Sequence, residues 1–61
     1  MKFEDIKIGM SVKIKFRWTD YYNKIGKVIG INSDSILPIT VEFPGGHKNL
    51  YKPSELEIGE V

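Results

Sequence analysis

The chain has 61 residues, with nine Lys and Arg against eight Asp and Glu, a formal charge of +1, 41% hydrophobic and 28% charged residues, and no cysteine. A chain this short buries only about 60% of its unfolded surface, which leaves one thin core and excludes the deep cofactor cavity of a conventional enzyme. The apolar content excludes intrinsic disorder, and without cysteine there is no disulfide, thiolate metal site or thiol chemistry.

Cysteine-free composition suits the cytoplasm. The first residues, Met1-Lys2-Phe3-Glu4-Asp5, lack the apolar stretch of a signal peptide and read as the N-terminus of a cytoplasmic protein. No apolar run is long enough to insert into a membrane. Residues 1–61 are expected to form a single domain, with 1–10 as a lead-in and a barrel over 11–58. In the lead-in, Phe3, Ile6, Ile8 and Met10 surround an Ile8-Gly9-Met10 turn that should lid one end of the core.

Residues 11–18 give the clearest strand. Val12, Ile14, Phe16 and Trp18 alternate with Lys13, Lys15 and Arg17, so one face is apolar and the other is a row of cations. Residues 19–23, Thr-Asp-Tyr-Tyr-Asn, have no apolar period and read as an exposed loop. A second strand is expected over 24–32, where the alternation fails at Val28–Ile29 between Gly26 and Gly30, the mark of a bulge or bend.

The cluster Asn32-Ser33-Asp34-Ser35 is a turn, and Pro38 opens a third strand with Ile39, Val41 and Phe43 inward. Pro44-Gly45-Gly46 makes a tight hairpin, because proline presets φ and glycine accepts the positive φ that follows. A fourth strand runs over 47–51, then Lys52-Pro53-Ser54 forms a turn of 3₁₀ type, and residues 55–58 close the sheet with Leu56 and Ile58 inward. No segment has helical spacing over ten residues. The pattern is all-β: a five-stranded, SH3-like, partly open barrel, since curling the sheet buries one face and leaves few edges.

Three segments resemble the photosystem I subunit IV family: Tyr22-Asn23-Lys24-Ile25-Gly26-Lys27-Val28, Pro38-Ile39-Thr40-Val41-Glu42-Phe43 and Ser54-Glu55-Leu56-Glu57. That family has an aromatic-Asn-x-Val-Gly-x-Val segment, a Pro-x-x-Val-x-Phe strand and a closing Glu-Leu, in the same order over residues 10–61. The resemblance implies an SH3-like barrel and, in function, a peripheral subunit that assists ferredoxin docking. The short Pro44–Gly46 hairpin departs from the longer loop of that family.

Catalysis has little to stand on in this sequence. His47 is the only histidine and lies beside a turn, no second imidazole or thiol completes a metal site, and Glu55 and Glu57 read as a solvated pair on one strand face. The chain is therefore expected to be a non-enzyme with no cofactor, no metal and no small-molecule substrate. Tyr and Trp give large rigid contact area with a polar tip, so Trp18, Tyr21, Tyr22 and Tyr51 are the candidate aromatic contacts, with Trp18 and Tyr22 also suited to capping the core. Lys13, Lys15 and Arg17, with Lys48 and Lys52 on the later edge, complete the candidate binding surface. The expected partner is another protein. RNA or single-stranded DNA is the alternative, since cations grip phosphates and aromatics stack bases. Charge is uneven in support of steering, with seven bases against three acids in residues 1–30 and two against five in 31–61.

Overall fold

A computed structural model describes residues 2–59; Met1, with the N-terminal reading that begins on it, and Glu60, counted in the acidic half, lie outside the described residues. The strands are β1 (Ser11–Ile14), β2 (Ile25–Ile31), β3 (Ile39–Glu42), β4 (Lys48–Tyr51) and β5 (Leu56–Ile58), with 3₁₀ turns at Phe3–Asp5 and Pro53–Glu55. All pairings are antiparallel in the order β4-β3-β2-β1-β5, so the sheet curls without closing and β4 and β5 remain edges. The fold class is the one the sequence indicates: an all-β, five-stranded, partly open barrel of SH3-like kind.

Alternation builds the core. Val12 and Ile14 of β1, Val28 of β2, Ile39 and Val41 of β3 and Leu56 of β5 are fully buried, and Ile6, Phe43 and Tyr51 complete the cluster. Burying one such aliphatic side chain contributes about 1.5–3 kcal/mol, which is how so short a chain can hold together without staples. The lead-in meets this core through Ile6 and Met10, while Phe3 and Ile8, expected beside them, are exposed. Ile6 is buried, Met10 packs beside it, and the segment is tied down by Gly9 N–H to the Val28 carbonyl (2.7 Å) and Val28 N–H to the Met10 carbonyl (2.9 Å).

β2 is the spine, pairing with β1 on one side and β3 on the other. Its register against β3 shifts between Val28 and Gly30, which leaves Ile29 as the extra residue of a bulge. The broken alternation at Val28–Ile29 is the trace of that bulge in the sequence. Gly26 is required by close approach: a Cβ there would overlap Cγ1 of Val41 and come within 2.9 Å of the Glu42 carbonyl oxygen. In the β3–β4 hairpin Pro44 is followed by Gly45 at φ +99°, a type II turn closed by Gly46 N–H to the Phe43 carbonyl at 3.1 Å.

Three expectations are corrected. β1 stops at Ile14 rather than at residue 18, because the chain peels away from β2 into a loop over residues 15–24. That loop is closed by Asn23 N–H to the Ile14 carbonyl (2.9 Å), with Asn23 itself left-handed at φ 65°. Phe16 therefore does not follow Val12 and Ile14 into the core; it is 38% exposed, and Trp18 is 87% exposed. At the other end Ile58 pairs with Val12 but is 63% exposed, since it ends an edge strand. Finally, Glu55 belongs to the second 3₁₀ turn, not to β5, so it forms no strand-face pair with Glu57.

A candidate partner-binding groove

The loop over 15–24 is held down by aromatic rings. Tyr21 stacks on Phe43 with centroids 4.2 Å apart and planes 9° apart, and Phe43 meets Tyr51 edge-on at 6.4 Å and 84°. Thr19 joins this cluster through its hydroxyl, which accepts from Tyr21 N–H (3.4 Å) and shares a hydrogen bond with the Tyr51 hydroxyl (3.4 Å). Asn49 Nδ2 donates to the same Tyr51 oxygen at 3.4 Å. The loop tip is thereby fixed against the end of β4.

Between this loop and β4 lies a shallow groove of about 350 Å³. Phe16, Trp18, Leu50 of β4 and Leu37, brought in by the segment before Pro38, supply its apolar lining. Thr19, Asn49 and Tyr51 line it with polar atoms. Among the described residues its charged lining consists of acids, Asp20 and Glu55. One Glu55 oxygen accepts from Lys52 N–H at 2.8 Å, capping the 3₁₀ turn, and the Asp20 carboxylate has no hydrogen bond or ion pair among the described residues.

The aromatic candidates separate accordingly. Trp18 lines the groove and is exposed. Tyr51 lines the groove, but its ring is only 3% exposed and belongs to the core. Tyr21 is not on an exposed loop: the stack on Phe43 turns its ring inward against the core. Tyr22 is exposed and lies outside the groove lining.

The cations do not gather with the aromatics. Lys13 stands opposite Glu57 in the β1–β5 ladder, and Lys15 Nζ lies 3.8 Å from Glu57 Oε2. Arg17 is exposed in the loop beyond the end of β1, so the row of three is broken and partly neutralised. Lys48 faces Glu42 across β3–β4, which in turn faces Lys27, and Lys52 is exposed at the cap of the second 3₁₀ turn. Thr19 and Asp20 fall in the aromatic loop, and Asn49 and Leu50 on the Lys48–Lys52 edge, that sequence reasoning marked as contact segments, whereas Phe16, Leu37 and Glu55 were missed as groove residues. For Leu50 a signal existed, since its parity opposes that of buried Tyr51.

Among the described residues no group of three or more His, Cys, Asp or Glu could hold a metal ion, and no helix is long and apolar enough to cross a membrane. In comparisons with known proteins, no family model and no curated protein matches the chain.

Proposed function

We propose that this domain is a non-catalytic binding module that docks another protein in the Phe16–Trp18–Leu37–Leu50 groove. The observation that carries the reading is Trp18: an indole 87% exposed beside a groove that Phe16, Leu37 and Leu50 line together with the hydrogen-bonded Thr19, Asn49 and Tyr51. Large aromatic side chains in that setting are what protein interfaces use as anchors. Nucleic acid is the weaker reading, because a groove whose charged lining is acidic repels phosphate, and the β1 cations are shared with Glu57. The photosystem I resemblance bears on the fold: of the positions that carry it, Gly26, Val28, Val41, Phe43 and Leu56 are buried, and apart from Glu55 no residue of the three resembling segments lines the groove.

The test is capture with wild-type protein and with Trp18→Ala, followed by identification of what is recovered. The reading expects a protein retained by wild type and lost by a Trp18→Ala variant that melts normally. A labelled oligonucleotide bound at micromolar concentration, with affinity falling steeply in salt, would put nucleic acid first.

A further inference from the structure

We infer that the groove takes an arginine side chain presented by an extended segment of the partner, a claim that rests on the docking reading above. Charge complementarity supports it. The chain has nine basic residues, yet none lines this groove, while Asp20 and Glu55 both do. A neutral or anionic occupant would strip these carboxylates of water without replacing the lost interactions, whereas a cation replaces them.

The carboxylates are also available. Asp20 has no partner among the described residues, and Glu55 uses one oxygen on Lys52 N–H and keeps the other. Phe16 and Trp18 line the same groove as the two acids. A guanidinium suits both features at once: its planar fork donates to carboxylates, it stacks on aromatic faces, and it is more weakly hydrated than an ammonium. Leu37 and Leu50 then cover the apolar side chain next to the arginine.

Two synthetic peptides test this: acetyl-Thr-Arg-Val-Thr-Val-amide, and the same peptide with citrulline, a neutral isostere, for arginine. Binding is read from the fluorescence of Trp18, the only tryptophan, and from the amide shifts of Asn49 and Leu50. The expected result is saturable binding of the arginine peptide, at least about tenfold tighter than the citrulline peptide, as a charge-assisted hydrogen bond provides. In Asp20→Asn/Glu55→Gln the preference should largely vanish; the Gln retains an acceptor for Lys52 N–H, and a thermal melt checks the fold. Equal binding of both peptides in the groove overturns the arginine claim and leaves the docking reading standing. No shift at Trp18 or Leu50 from either peptide up to about 10 mM, beyond the range where a short segment is expected to bind, also overturns it, and the docking reading is then decided by capture with Trp18→Ala.

Discussion

The Tyr21 ring lies flat on the Phe43 ring, a contact that brings the loop over residues 15–24 onto the core. Phe43 in turn meets Tyr51 of β4 edge-on, so three rings in contact link loop, hairpin and edge strand. Such pairs contribute about 0.5–1.5 kcal/mol beyond their burial.

Phe43→Ala should therefore destabilise by about 3–5 kcal/mol, enough to unfold much of a domain this small. Phe16→Ala deletes an identical ring from a half-exposed position and should cost less than about 1 kcal/mol. Urea melts of the two variants check the contrast. Comparable losses would return Phe16 to the core.

Gly26 and Gly30 flank the bulge but should respond oppositely to a methyl group. At Gly26 a Cβ meets Val41 and backbone, so Gly26→Ala should cost about 1–3 kcal/mol by overpacking. At Gly30 the nearest atom to a Cβ is Thr40 Oγ1 at 3.4 Å. Gly30→Ala should be neutral, or stabilise by about 0.4–1 kcal/mol through the unfolded chain. Thermal denaturation distinguishes the pair.

The Tyr51 hydroxyl joins Thr19 to Asn49. Tyr51→Phe keeps the core ring and removes that oxygen, for an expected loss of about 0.5–1.5 kcal/mol. Amide hydrogen exchange should quicken in residues 15–24 while β2 and β3 keep their protection. Uniform acceleration across the sheet would mean that the hydroxyl supports the whole barrel rather than the loop.

Glu55→Ala removes the carboxylate that caps the second 3₁₀ turn and should cost about 0.5–2 kcal/mol. Glu55→Gln keeps an acceptor for Lys52 N–H and should lose less. A melt in which the two variants are equally destabilised would assign the effect to charge instead of the hydrogen bond.

Most of the barrel is legible in the sequence because its signals are local. The period-two runs at Val12–Ile14 and Ile39–Val41, the broken alternation before Gly30 and the Pro44-Gly45-Gly46 turn each report a backbone state set by neighbouring residues. The groove is not legible in this way. Phe16 has the parity of Ile14, and only the early departure of the chain from β2 takes it out of the core. Tyr21 reads as a loop residue, and its partner Phe43 lies on a different strand. Asp20, Leu37, Leu50 and Glu55 come from four separate segments, so nothing in their spacing announces that they meet.

The last strand of this barrel pairs with the first: Ile14 sits opposite Leu56, and Lys15 N–H reaches the Glu55 carbonyl at 2.7 Å. The β2–β3–β4 hairpins can zip from their turns, but β1 has to wait for nearly the whole chain before its outer edge is covered. Closing so long a loop costs entropy before any contact repays it, which places such topologies among the slower small folders, in the range of about milliseconds to seconds. During synthesis, Val12 and Ile14 leave the ribosome long before Leu56 does. Until that final segment emerges, the nascent domain exposes an apolar strand edge, and a message truncated before Leu56 would yield a product bound for aggregation rather than a shorter barrel.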